Sequence, residues 1–411
     1  MALSKKVEPY VVMDLGSHSI KILLGIYDGL SMKVKKALRV EIPDGAYYDG
    51  KINDAETMAA LVSGALKNSG IKEKRCIVTF NSKDVIQKEL SLPELSYEDT
   101  VGLIRYEISQ YLPIDIDEYD IAYKNISKKA VSEAPAESDG EESSKDEDSE
   151  DTNINVISYI VKKELVDDLH AFVLACGLEP VFLDFHSNSI SKFVKHVNDA
   201  YARNVLDSGR ESSTIALIDL GHKNILIDIV EDDAIVLSRI VDIGFLDQDK
   251  LIAQRFGIDI KEAERLRHEK FTNRMVDLYY IYEKVKNVVF DGQEVDKAKL
   301  GIGEGYATQE EIRLFSFLGE SMVMYDEAVA EISKVLQYYT NRKVSNKIDR
   351  VLLYGAAVCD GSMLEFFDMI LDFKVELVDF NKIANIDFAG NVSDKSAYVN
   401  ALGALVRYRE G

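Results

Sequence analysis

The run Asp14-Leu15-Gly16-Ser17-His18-Ser19-Ile20-Lys21 gathers a carboxylate, a glycine, two hydroxyls and an amine into one short stretch. Tightly turned backbone N–H groups, with Gly16 permitting close approach, make a nest for phosphate oxygens. Ser17 and Ser19 add hydroxyl donors, and Lys21 reaches terminal phosphates as a point charge. Asp14 can hold Mg²⁺ through its water shell, because Mg²⁺ gives up water reluctantly. Sliding the chain on itself by 205 residues aligns MDLGSHSIKILLGIYD with IDLGHKNILIDIVEDD without a gap. Asp14/Asp219, Leu15/Leu220, Gly16/Gly221, Ile20/Ile225, Ile22/Ile227 and Asp28/Asp233 are identical. A second tip carrying Asp219, Gly221, Lys223 and Asn224 can therefore clamp the same phosphates from the opposite side, with Asp219 as a second candidate for the metal. One such tip is a common turn; two in register are what carries the reading.

Two further stretches complete a nucleotide-sized set. RVLLYGAAVCDGSMLEFF (350–367) reads as a buried strand, a small-residue turn and a helix, and Gly355 and Ala356 let backbone approach a flat ring or a phosphate. In KEAERLRHEK, Glu264 and Arg267 are spaced i, i+3 on a helix, able to bond ribose hydroxyls or simply to pair at the surface. The run Gly45-AYYD-Gly50-Lys51 imitates a phosphate loop, but Ile52 stands where Ser or Thr is needed for Mg²⁺.

The elements around these residues alternate between strand and helix. Tyr10–Met13 and Ile20–Tyr27 form a β-hairpin around the first tip. A helix follows with Met58, Leu61, Val62, Ala65 and Leu66 on one face, capped by Asn53 with Glu56 and stopped by Gly70. RCIVTF (75–80) is the next strand, so the order is that of an α/β domain. Residues 96–112 make a second helix, opened by Ser96 with Asp99 and carrying Val101, Ile104, Ile108 and Tyr111 on one face. The helix 163–176 ends at Gly177 and leads to the strand PVFLDF. The same hairpin in each half implies two similar α/β domains facing each other across a cleft.

Composition narrows the function classes. The 411 residues hold 49 Lys and Arg against 71 Asp and Glu, a net charge of −22 that opposes nucleic acid and anionic lipid. Residues 130–151 contain no apolar periodicity and are expected to be a disordered acidic loop between two strands. No run of apolar residues is long enough to span a membrane, and the N-terminus lacks the apolar core of a signal peptide, so a cytoplasmic protein is expected. Three distant cysteines and six scattered histidines give neither a disulfide framework nor a transition-metal spacing.

These motifs resemble the actin–Hsp70–FtsA superfamily. Asp14–Lys21 is similar to its first phosphate motif, Ile218–Ile227 to its second, Glu264–Arg267 to its nucleotide helix and Leu353–Gly361 to its adenosine motif. Within it, LPELSYEDTVGLIRYEISQYLPIDIDEYDIAY resembles the PilM family of type IV pilus assembly ATP-binding proteins, through Arg105, Glu107, Tyr111, Pro113, Glu118 and Tyr123. SAYVNALGALVR is similar to that family's last helix. The resemblance implies an α/β, actin-like (FtsA/Hsp70-type) two-domain fold with duplicated ribonuclease-H-like cores. It also implies a nucleotide cleft between them and an inserted small α/β (SHS2) subdomain. The corresponding divisions are 1–82 and the return helix 184–212 for the first domain, 83–183 for the insert, 213–395 for the second domain and 396–411 for a closing helix.

ATP and Mg²⁺ are the cofactors so implied, with slow hydrolysis at most, since no residue stands out to activate water. The implied role is a scaffold at the inner-membrane platform of a type IV pilus or type II secretion machine. It would be peripheral to the membrane through the cytoplasmic N-terminal peptide of a PilN-like protein, with self-association a further possibility. A small-molecule or sugar kinase and an FtsA-like division protein are the alternatives on the same fold. In three places the chain departs from the pattern. His222, Lys223 and Asn224 replace Gly/Thr residues of the second tip, a glycine run shrinks to Gly355, and Phe245 follows Gly244 where a second glycine is common.

Overall fold

The computed structural model describes residues 8–126, 153–204, 213–270, 275–285, 297, 301, 303, 308–355, 361–380, 383 and 385–407. The acidic stretch 130–151 lies outside them, as do Ala356 and Cys359. Contacts divide the chain into two compact units, one of residues 1–48, 52–81 and 173–411, the other of 49–51 and 82–172.

The larger unit begins with β1 (Tyr10–Leu15), β2 (Ser19–Tyr27) and β3 (Met32–Glu41). Two short strands, β4 (Tyr47–Tyr48) and β5 (Lys51–Ile52), precede α1 (Ala55–Asn68) and β6 (Arg75–Phe80). Asp54, not Asn53, caps α1, its carboxylate accepting the Thr57 N–H at 3.1 Å, while Asn53 donates to the Gly45 carbonyl. The helix buries Met58, Ala59, Val62 and Leu66; Leu61 of the expected face is 39% exposed.

The smaller unit is an antiparallel sheet with a helix on it. Its elements are β7 (Ile86–Pro93), α2 (Tyr97–Tyr111), β8 (Tyr119–Asn125) and β9 (Asn153–Lys162), followed by α3 (Lys163–Ala175), and the strands lie in the order β7-β9-β8. Ser96 caps α2 as the capping spacing requires, accepting the Asp99 N–H. Ile104 and Ile108 enter a core with Leu92, Tyr119, Val156 and Ile160. Tyr111 does not, because it is the last residue of α2; its ring stays exposed under the Lys88 ammonium, 5.6 Å from the centroid. Arg105 donates to the Ile116 carbonyl at 2.7 Å and so pins the segment that leads into β8.

Gly177 takes φ +75°, and the chain returns to the larger unit through β10 (Glu179–Phe185) and α4 (His186–Asn204). The sequence places Glu179–Leu183 in the insert; in the structure the whole strand pairs in parallel with β6. Then come β11 (Thr214–Leu220), β12 (Ile225–Glu231), β13 (Ala234–Val241), α5 (Phe245–Phe256), α6 (Ile260–Lys270) and α7 (Met275–Val285). The chain continues with α8 (Gln309–Arg342), β14 (Arg350–Tyr354), α9 (Gly361–Ile370), β15 (Val375–Leu377), β16 (Ile386–Phe388) and α10 (Val399–Leu405).

Two sheets repeat one plan. The first runs β10-β6-β1-β2-β3-β16 and the second β13-β12-β11-β14-β15. In each, an antiparallel hairpin supplies the central strand, which also pairs in parallel with a later strand. The sequence offset reappears as register, with Leu15 opposite Ile20 and Leu220 opposite Ile225. Central strands covered on both faces need continuous apolar residues, and Val11, Val12 and Met13 and Ile215 to Ile218 are all buried. Helices α4 and α10 pack against each other within a core that also holds Val12, Leu23, Leu217 and Tyr354.

Candidate functional site

Both tip carboxylates sit one residue before the end of a central strand, so the sheet edges fix them. Asp14 is 1% exposed. Opposite it across the β-hairpin is Lys21, whose Nζ lies 3.7 Å from Asp14 Oδ2. The offset position in the second hairpin is Leu226, so only the first hairpin sets a cation directly opposite its carboxylate.

A residue with no sequence signal completes the first carboxylate. His186, the first residue of α4, places Nε2 2.8 Å from Asp14 Oδ1 and is itself buried. Parallel pairing explains its arrival. Thr79 of β6 stands between Asp14 of β1 and Asp184 of β10, so the residues just past β10 emerge at the same sheet edge as the tip. Ligand sites of open α/β sheets gather at that carboxyl edge, which is the rule that would have drawn attention to the histidine. Burial pushes the Asp14 carboxyl up, but Lys21 and His186 more than offset this and hold it below its ordinary range.

Asp219 has different company. Its Oδ2 accepts from Asn400 Nδ2 at 3.1 Å, and Asn400 Oδ1 accepts from the Tyr354 hydroxyl at 3.3 Å. Gly355 adopts φ +105°, and a Cβ there would collide with the Asp219 carboxylate. Burial raises the Asp219 pKa; Lys21 and His186 oppose the rise, and the charge of Asp14 adds to it.

Below the pair lies Asp228 of β12, fully buried with the Ser238 and Ser187 hydroxyls facing it. Burial lifts its carboxyl to about 6, against the pull of those hydroxyls and of His186. Such a group binds its proton more tightly in the folded chain. Stability therefore falls as pH climbs from the unfolded value near 4 to about 6, and the penalty is complete above that. Asp228→Asn is expected to gain about 2 kcal/mol near neutral pH, a gain that shrinks toward pH ~4. Denaturant unfolding across that range checks it, and a gain independent of pH would refute the assignment.

The tips themselves meet across the cleft. The His18 and His222 rings are 4.6 Å apart, and His18 Nε2 lies 3.6 Å from Glu264 Oε1. Burial, followed by the charges of His18, Arg267 and Lys223, pushes His222 down to about 3 and keeps it neutral. Lys223 Nζ is 2.8 Å from Asp44 Oδ1 and 5.5 Å from the Tyr48 ring centroid. Gly221 N–H donates to the Asn224 carbonyl, closing the second turn, and the Phe245 and Leu246 N–H groups of α5 cap the carbonyls of Gly221 and His222. Gly244 must be glycine here, since a Cβ would strike the His222 carbonyl.

The expected site residues thus separate. Asp14, Gly16, Ser17, Lys21, Asp219, Gly221 and Gly355 belong to the strand ends, tips and turn at the cleft. Ser19 is buried, its hydroxyl accepting from Arg39 Nε at 3.2 Å. Glu264 faces His18. Arg267 turns inward, 5% exposed, donating to both oxygens of Asp249 at 2.7 and 3.2 Å with its guanidinium 4.9 Å from the Phe245 ring centroid. One helix spacing produced two side chains with different tasks, because Arg267 falls on the α5-facing side of α6.

Where a Cβ would stand at Gly16, Gly221 and Gly355 lie Lys21 Nζ, the Asn224 carbonyl and the Asp219 carboxylate. Both Asp14 oxygens are buried without a hydrogen-bond partner, Lys21 and His186 lie beside them, and Asn400 donates to one Asp219 oxygen; these are the carboxylates that would hold Mg²⁺ through its water shell. Among the described residues no group of three His, Cys, Asp or Glu side chains is arranged to hold a metal ion directly. Among those residues, no helix is long and apolar enough to cross a membrane.

The family described as Type IV pilus assembly protein PilM matches residues 12–277. No curated protein matches the chain in sequence. Among solved structures, the PilM-PilN type IV pilus biogenesis complex is similar with TM-score 0.68 and 14% identity, over 96% of this chain and 97% of that one. Ethanolamine utilization protein EutJ from Carboxydothermus hydrogenoformans gives TM-score 0.49 and 11% identity, over 98% and 92%. MreB 5 of Spiroplasma citri bound to AMPPNP gives 0.42 and 13%, over 96% and 94%. The fold is the actin-like one that the family resemblance implies. Since the family match spans more than half of its length, the chain belongs to the Type IV pilus assembly protein PilM family.

Proposed function

We propose that this chain is a nucleotide-binding scaffold of type IV pilus assembly. ATP binds between the two sheets, and the chain captures the cytoplasmic N-terminal peptide of a PilN-like inner-membrane protein. The observation that carries the reading is the in-register pair of tips, Asp14–Lys21 and Asp219–Asn224, facing one cleft in a chain of the PilM family. The likeness to a structure described as a PilM-PilN complex supports the choice of partner. Attachment to the membrane runs through that partner, which places the chain at the cytoplasmic face.

Phosphate oxygens approach the Gly16–Ser17 backbone, with Lys21 as their counter-charge, and the base lies toward Gly355. Binding stabilises one closure of the cleft, so the nucleotide acts by shifting a population rather than by turnover. Calorimetric titration of the whole chain with ATP, and fluorescence anisotropy with a labelled N-terminal peptide of the cognate PilN-like protein, test the two halves. Saturable binding of both is expected, with ATP changing peptide affinity. A folded chain that binds neither would overturn the reading.

A further inference from the structure

Residues 42–48 overlap the run that imitates a phosphate loop in sequence, yet in the structure they form a strap fixed to the first half of the cleft. The Ile42 N–H donates to the His18 carbonyl of the first tip at 3.0 Å, and Ile42, Ala46 and Tyr47 are buried. The Ala46 N–H closes a turn onto the Pro43 carbonyl at 3.1 Å, with Gly45 at φ +76°. Asn53 donates to the Gly45 carbonyl at 2.9 Å and holds the far side of that turn. Asp44 and Tyr48 are thereby set against residues of the second half.

The contacts made there are polar and converge on one amine. Lys223 Nζ lies 2.8 Å from Asp44 Oδ1 and 5.5 Å from the centroid of the Tyr48 ring, and the Tyr48 hydroxyl donates to Asp242 Oδ1 at 3.2 Å. The Lys223 side chain is 16% exposed, and its ammonium holds the Asp44 carboxyl below the ordinary range. The second tip is braced from behind, since the Leu246 N–H caps the His222 carbonyl at 2.8 Å and Gly244 packs against the same carbonyl. Lys21, by contrast, stands beside Asp14 at the cleft floor. We infer that Lys223 is a clasp between the two halves rather than a phosphate ligand, and that nucleotide enters and leaves only when its contacts with Asp44 and Tyr48 open. Strap and tip are each fixed to their own sheet, so opening the cleft breaks both contacts at once. A partly exposed ion pair with a ring beside it sets a modest barrier to that opening.

This inference rests on the nucleotide reading above, and stopped-flow mixing with a fluorescent ribose-labelled ATP separates their failures. The whole wild-type chain is compared with Asp44→Asn, Lys223→Met and the double variant. Asp44 is 68% exposed, so its replacement leaves folding intact. Association is expected to be about threefold faster in each variant, with dissociation faster by a similar factor, the size that a partly exposed ion pair supports. The double variant is expected to be no faster than either single one, because both changes act on one contact. Exchanging the charges, Asp44→Lys with Lys223→Asp, is expected to restore the slow rates, which a carboxylate in the place of a phosphate ligand would not do. Affinity lost about tenfold in both Lys223→Met and the exchange, with no faster association, is the mark of a phosphate ligand and overturns the inference. Rates unchanged in every variant overturn it as well, and both results leave the nucleotide reading intact. No binding by any of these chains overturns both readings, whereas binding by the opened variants alone supports both.

Discussion

Asp14→Asn is expected to lose about 3 kcal/mol of folding stability at neutral pH, while Asp219→Asn loses nothing or gains slightly. The two positions are equivalent in the repeat, and their environments set them apart. The Asp14 carboxylate balances Lys21 and His186, and its pKa is held low by them against burial. An amide there leaves two donors facing a group without charge, inside the protein. Asp219 is raised instead, so its ionised form is a cost to the folded chain, and an amide at that site still accepts from Asn400. The pH dependence follows the same signs. The contribution of Asp14 is fully present above its unfolded value near 4 and is lost only as pH falls through its lower folded value. Relief at Asp219 appears as pH rises above ~4. Urea unfolding of the two variants at neutral pH checks both; equal losses would refute the asymmetry.

Gly403→Val is expected to cost about 3 kcal/mol or more, and Gly403→Ala a large part of that. Helix α10 is buried along its whole length, and at Gly403 its backbone touches that of Ser189 on α4. A Cβ would overlap the Ser189 carbonyl, and a backbone atom has no rotamer by which to retreat. Ser189 is fixed in turn by its hydroxyl contact with Thr79 at 3.0 Å. The consequence reaches the cleft, because α10 also carries Asn400, the partner of Asp219. Loss of stability measured by chemical denaturation, together with weaker ATP binding by whatever fraction remains folded, is the expected result. A Gly403→Ala variant that melts with the wild type would refute the close crossing.

Family membership was legible because it rests on local runs. The helix α2 with its Ser96 cap, the Arg105 that pins the following segment, and the hairpin repeated 205 residues on are each contained in short stretches. The smaller misreadings were also local. Asn53 and Asp54 compete for one cap, and periodicity alone assigned Tyr111 and Leu61 to buried faces without knowing where the packed surface ends.

What the sequence by itself determined is the pair of tips: a strand, a turn with its carboxylate and glycine, and a return strand are fixed by neighbours along the chain. Tertiary structure decided what those carboxylates touch. His186 reaches Asp14 only because β10 runs parallel to β6 and ends at the same edge, and Asn400 reaches Asp219 only because α10 crosses α4 at a glycine. Arg267 shows the converse, a residue in a nucleotide-like spacing that the packing of α6 on α5 turns into a buried partner for Asp249. Parallel pairing and helix crossing join residues far apart in the chain, and no spacing along it records which of them will meet.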